Sequence, residues 1–183
     1  MKKILDLGCG NTKKTGSIGV DFNSRTAADV IHDLNTFPYP FSDASFDEIY
    51  LDNSLEHLDN VILVIEEAYR ICKPGGLVKV IVPYFRSMWA FGDPTHKCFF
   101  TARTFEVFDI DSPVAKRYDY TRSRFKIEKI IFNETLKNRF LKKILLKIAN
   151  RWHVKYEYYL SHFFPLDDIS YYLRKPLDNK DGK

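Results

Sequence analysis

Residues Ile4-Leu5-Asp6-Leu7 run straight into Gly8-Cys9-Gly10, and few folds accommodate that junction. A short apolar run without alternation suits a strand covered on both faces, as in parallel sheets, and glycines directly after it allow a tight turn and close approach of a ligand to the backbone. The same grammar recurs. Ile18-Gly19-Val20-Asp21, Asp29-Val30-Ile31-His32-Asp33-Leu34 and Asp47-Glu48-Ile49-Tyr50-Leu51 each read as a short strand ending on polar residues, the last closed by Asp52-Asn53-Ser54. From Asp59 the spacing becomes helical through Val61, Ile65, Ala68, Tyr69 and Cys72, with Asp59 as expected N-cap and Lys73-Pro74-Gly75-Gly76 as the stop. Leu77 to Val82 then predicts another buried strand. Strand, helix and strand in this order form a right-handed crossover, so the chain is expected to be an α/β fold with a Rossmann-like, doubly wound, mostly parallel sheet.

Beyond this core the pattern loosens. Residues 83–113 are loop-like and aromatic, with a helix predicted from Thr101 to Phe108, and follow a strand end where a substrate lid belongs. Lys116 to Tyr120 and Phe125 to Phe132 predict an antiparallel C-terminal hairpin, one or two helices are expected between Asn138 and His162, and Ile169 to Leu173 predicts a last strand before a frayed tail at Asp178 to Lys183. No linker interrupts residues 1–183, so a single domain is expected, with 83–113 and 138–164 as lid or interaction elements.

The 183 residues are 45% hydrophobic and 28% charged, enough for one substantial core and unlike a disordered chain. The longest apolar stretches, Val61 to Ile65 and Val80 to Phe85, are far shorter than the roughly 18 residues of a membrane span. Asp6 interrupts the N-terminal apolar run before a secretory signal can form, so a cytoplasmic protein is expected. Cys9, Cys72 and Cys98 lack disulfide or metal-ligand spacing; free thiols and no metal are expected. Charge is uneven. Residues 1–66 carry 5 Lys/Arg against 11 Asp/Glu, while the remainder carries 23 against 13. A basic C-terminal half suits an anionic partner or simply a solvated face.

A glycine pair after one strand and a carboxylate ending the next describe a site for an adenosine-containing cofactor, because the carboxylate accepts both ribose hydroxyls. The dinucleotide version of that motif wants a third glycine and an acid about 20 residues on. Lys13 occupies the third position and Asp21 follows Gly10 by only 11 residues, which disfavours it.

Taken together, Ile4 to Gly10, Gly19-Val20-Asp21, Phe41 to Tyr50, Leu55-Glu56-His57-Leu58 and Cys72-Lys73-Pro74-Gly75-Gly76 resemble, in order and spacing, the class I S-adenosylmethionine-dependent methyltransferases over roughly residues 3 to 85. Leu166 to Pro176 is similar to that family's closing strand. The resemblance implies S-adenosylmethionine as cofactor. It implies Asp6, Gly8, Cys9 and Gly10 around the methionine moiety, Asp21 with its neighbour Phe22 at the ribose, Asp33 and Leu34 at the adenine edge, and Asn53 and Ser54 at the methionine end. Each acid has a plain structural alternative as a turn or helix cap. The segment Asn11 to Ser17 is too short for the family's usual first helix, so a loop or single turn is expected there.

Methyl transfer needs alignment and exclusion of water, and a base only for a hydroxyl or protonated amine acceptor. His96, in Gly92-Asp93-Pro94-Thr95-His96, is the candidate catalytic base, and His57 is a second candidate that serves equally as a pocket-lining residue. Asp52-Asn53-Ser54-Leu55 lacks the aromatic clamp that stacks an extruded base, which disfavours a nucleic-acid acceptor. A small-molecule, sugar or lipid-linked acceptor is expected instead. The alternatives are a non-catalytic, cofactor-binding subunit or a nucleic-acid methyltransferase. Lys137 to Lys155 predicts a basic amphipathic helix that packs on its own core, contacts an anionic membrane or mediates a homodimer through 137–164.

Overall fold

The computed structural model describes residues 2–133 and 140–177, without the side chains of 140–142. A seven-stranded sheet runs in the order β3-β2-β1-β4-β5-β7-β6. Its strands are β1 (Ile4–Leu7), β2 (Ser17–Asp21), β3 (Val30–Ile31), β4 (Phe46–Asp52), β5 (Cys72–Pro83), β6 (Lys126–Asn133) and β7 (Asp168–Arg174). The first five are parallel, and β7 is antiparallel to both of its neighbours. Leu5 and Leu7 are fully buried in the central strand β1, and Val80 and Val82 in β5, as expected for strands covered on both faces.

The predicted α/β, mostly parallel architecture with antiparallel C-terminal strands is the one observed. Its hairpin, however, is drawn from different segments. Residues 116–120 are not a strand: Ser112 accepts from the Val114 amide, Pro113 occupies the first helical turn, and Pro113–Tyr118 forms a short helix ended by Asp119 at φ 44°. The partner of β6 is β7, with residues 134–167 between them. The third strand shrinks to Val30–Ile31, because the flanking acids bind local backbone instead: Asp29 accepts from the Gly19 amide and Asp33 from that of Asn35.

Helix α1 (Val61–Ile71) buries Val64, Ile65, Ala68 and Ile71 on one stripe against the sheet. Asn60, not Asp59, is its N-cap, with Oδ1 accepting from the amides of Ile62 and Leu63, while Asp59 pairs with Lys97. The helix ends as expected, but β5 begins at once, absorbing Lys73-Pro74-Gly75-Gly76 with a register shift opposite Phe46 to Glu48. The buried Lys175 ammonium donates to the carbonyls of Tyr69 and Cys72 at that helix end.

Residues 88–92 form a short helix, and the helix predicted for 101–108 is a 3-10 turn at Thr104–Phe108. The long C-terminal helix, residues Phe140–Arg151, packs on β6 and is followed by a further helical stretch to Leu160. There Asn150 accepts from the Phe132 amide and donates to the Phe132 carbonyl, pairing the outer edge of β6 with a side chain. The expected start of that helix at 138 and the tail at 178–183 lie outside the described residues. Among the described residues no helix is long and apolar enough to cross a membrane.

Candidate active site

Five parallel strands bring their carboxyl ends to one edge, and the chain reverses its direction of strand addition between β1 and β4. A crevice at such a switch point is the usual ligand site of open α/β sheets. A cavity of about 740 Å³ lies there, within the range of small-molecule and cofactor sites. Seven of the residues expected to hold the cofactor line it: Gly8, Asp21, Phe22, Asp33, Leu34, Asn53 and Ser54. Asn35, His57, Leu58, Pro94, Thr95 and Lys97 complete the lining. Asp6, Cys9 and Gly10 are not among the lining residues.

The loop between β1 and β2 has no helix, in line with its length, and carboxylates organise it instead. Asp6 Oδ2 accepts from the Lys14 amide at 2.8 Å, and burial pushes its carboxyl up. Asp21 Oδ2 accepts from the Gly10 amide at 3.0 Å and Oδ1 from that of Asn23 at 2.9 Å. Each oxygen keeps capacity for a further donor, and Asp21 lines the cavity. Cys9 is buried, which raises its thiol. Gly8 sits at φ +73°, and a Cβ there would come within 2.4 Å of Ser54 Cβ, so the cradle at this point is open only because position 8 is glycine. Ser54 in turn donates to the Leu7 carbonyl at 2.9 Å. Among the lining residues, Phe22 is 76% exposed. Leu34, also in the lining, is buried.

On the other wall, Leu55–His57 forms a 3-10 turn after β4. The Glu56 carbonyl accepts from the amides of Lys97 and Cys98, which lashes residues 94–98 against this turn and brings Pro94, Thr95 and Lys97 to the cavity. His96 does not line it. Its Nδ1 lies 3.0 Å from the Ala90 carbonyl and its Nε2 4.0 Å from Glu56 Oε1. Its ring meets that of His57 edge-on at 4.6 Å between centroids. Glu56 is 1% exposed, and burial pushes its carboxyl up to about 7. Burial, then the neighbouring His96, lower His57. Sequence reading singled out both histidines but gave Glu56 no role. Its motif position was visible, while its encounter with His96 depends on the long-range lashing of the 94–98 segment.

Residues 5–80 match the family model described as methyltransferase domain. No curated protein matches the chain in sequence. Among solved structures, it is similar to an S-adenosylmethionine-dependent methyltransferase from Archaeoglobus fulgidus, at 20% identity and a TM-score of 0.61 over 95% of this chain and 86% of that one. A protein solved in complex with the Trm112 methyltransferase activator of Haloferax volcanii gives 17% identity and a TM-score of 0.58 over 96% and 83%. Phosphoethanolamine N-methyltransferase 2 of Haemonchus contortus, solved with S-adenosyl-L-methionine, gives 18% and 0.58 over 96% of this chain and 50% of that one. At these identities the likeness is one of fold.

Proposed function

We propose that this chain, whose residues 5–80 match the methyltransferase-domain family model and whose fold is similar to that of a solved S-adenosylmethionine-dependent methyltransferase, is a class I S-adenosylmethionine-dependent methyltransferase that methylates a small-molecule, sugar or lipid-linked acceptor bound in the cavity at the carboxyl ends of β1, β2 and β4. The observation that carries this reading is the wall formed by Gly8, Asp21 and Ser54, a glycine cradle beside a carboxylate with spare acceptor capacity. S-Adenosylmethionine supplies an electrophilic methyl group on a sulfonium, so the protein's task is to hold, align and keep water out.

In this proposal Asp21 accepts the ribose hydroxyls. Phe22 and Leu34 offer apolar surface to the adenine, with Asp33 at its edge. Asp6, Cys9 and Gly10 shape the turn that receives the amino-acid end, and the backbone of Gly8 with Asn53 and Ser54 flanks it. His96 acts on the acceptor side together with His57 and Glu56, the ring of His57 being the one at the cavity surface. The exposed Trp152, Tyr158, Tyr159, Phe163 and Phe164 share the 147–164 segment with Lys147, Arg151 and Lys155, a composition that supports an acceptor presented at an anionic membrane.

Calorimetric titration with S-adenosylmethionine, S-adenosylhomocysteine and NAD tests the cofactor site. Micromolar binding of the first two and none of the third is expected; NAD binding, or none at all, would overturn the assignment. Label from methyl-labelled cofactor should then enter the small-molecule or lipid-extractable fraction of a cell extract. Label confined to nucleic acid would refute the proposed acceptor class.

A further inference from the structure

The group of Glu56, His57 and His96 contains a buried polar atom without a partner. Among the described residues, Glu56 Oε2 is a buried carboxylate oxygen with no hydrogen-bond partner, and leaving such an atom unpaired is costly. The tautomers of the two histidines follow from their neighbours. The Ala90 carbonyl only accepts, so His96 Nδ1 carries a proton, and in the neutral ring its Nε2 presents a lone pair 4.0 Å from Glu56 Oε1. The Thr95 hydroxyl donates to Asp93 Oδ1 at 2.7 Å, so its oxygen accepts from His57 Nδ1 at 2.9 Å, and His57 Nε2 is likewise left with a lone pair. Ligand atoms from all three residues lie within 4.8 Å of one another.

Distance distinguishes a shared proton from a larger cation. A hydrogen bond between nitrogen and oxygen closes to roughly 2.7–3.2 Å, whereas two bonds of about 2.0–2.2 Å to one ion hold the donor atoms about 3.3–3.6 Å apart at the tetrahedral angle. The 4.0 Å between His96 and Glu56 is too long for a hydrogen bond and would close by a few tenths of an ångström on a bound ion. The outer hydrogen bonds match as well, because metal-binding imidazoles generally give their other N–H to a carbonyl or, directly or through a relay, to a carboxylate. Here those acceptors are Ala90, and Asp93 through Thr95.

We infer that Glu56, His57 and His96 form a site for one divalent transition-metal cation at the acceptor side of the cavity. Two imidazoles and a carboxylate suit zinc, iron or cobalt and leave coordination positions open. Since His57 lines the cavity, those positions face the space where the acceptor binds and take an oxygen ligand. This deepens the methyltransferase reading, on which it rests, by favouring a hydroxyl-bearing acceptor over an amine.

The full-length protein, stripped with EDTA and dialysed, is titrated with Co(II) and with Zn(II) by calorimetry and visible absorption. One equivalent of Co(II) with ligand-field bands, displaced by Zn(II), is expected. Glu56→Gln and His96→Gln should each weaken binding by at least about tenfold, as even loss of an outer-shell partner does. His57→Gln, at the cavity surface, serves if the buried replacements fail to fold, and should abolish the bands. No uptake by the stripped protein, or uptake unchanged in His57→Gln, would overturn the inference. Asp21→Ala separates it from the cofactor assignment: S-adenosylmethionine affinity should fall while Co(II) uptake stays. Cofactor binding without Co(II) uptake refutes the metal site alone, and Co(II) uptake without cofactor binding supports the metal site while refuting the reading beneath it.

Discussion

A β-carbon at position 8 would lie 2.4 Å from Ser54 Cβ, closer than real Cβ contacts allow. Gly8→Ala therefore combines a steric clash with a positive φ, and it should destabilise the protein by about 2–4 kcal/mol in urea denaturation while narrowing the cavity. Ser54→Ala retains the offending carbon and should not rescue it. Ser54→Gly removes the clash and should recover part of the loss, leaving the backbone strain.

Asp21 carries a structural duty besides its proposed ligand, since its two oxygens accept from Gly10 and Asn23. Asp21→Ala should weaken S-adenosylmethionine binding by at least about tenfold and cost about 1–3 kcal/mol of stability, the range for leaving donors unpaired. Calorimetry and denaturation measured on the same preparation check both effects.

Asp47 accepts from the Lys3 amide and from Lys73, and the Lys73 ammonium holds its carboxyl below the ordinary 3.8. A depressed folded-state pKa contributes stability that is complete above the unfolded value and is lost as pH falls through the folded one. Asp47→Asn should be less stable than the parent at pH 6, and the gap should shrink as the pH falls below the ordinary 3.8. A constant gap across that range would contradict this.

Thiol labelling should follow burial. Burial pushes Cys72 up to about 11, and its side chain is fully enclosed, whereas Cys98 is half-buried. Alkylation at pH 8 followed by mass spectrometry should modify Cys98 first and leave Cys72 unmodified until the protein unfolds.

Asn150 replaces a neighbouring strand at Phe132. Asn150→Leu should cost about 1–3 kcal/mol by stranding that peptide's donor and acceptor. The Phe132 amide should also lose its hydrogen-exchange protection. Retained protection would show that another group satisfies this edge.

Local sequence carried the glycine turn, the four strand ends and α1 because each is written in adjacent residues. It failed where residues outside the element's own apolar pattern decide. Asp29 to Leu34 has strand composition, yet Asp29 turns back to Gly19 and Asp33 to Asn35, leaving two residues to pair. Lys116 to Tyr120 is compatible with strand or helix, and the choice lies in Ser112-Pro113 just before it. Gly8, Asp21 and Asn53 were legible as cavity-lining residues because they end or directly follow strands. Glu56 was not, since its side chain acquires meaning only when Lys97 and Cys98 bind its carbonyl and bring His96 alongside.

Strand β7 lies between β5 and β6, both of which precede it in the chain. During synthesis these two strands therefore emerge with no neighbour along the edges that β7 later fills, seven residues long on each side. A chain halted before residue 168 is a sheet with open seams, of the kind that recruits other chains. The nascent protein depends on its latest strand to close itself, so slow translation beyond β6 should be a route to aggregation even when every residue of the site has been made.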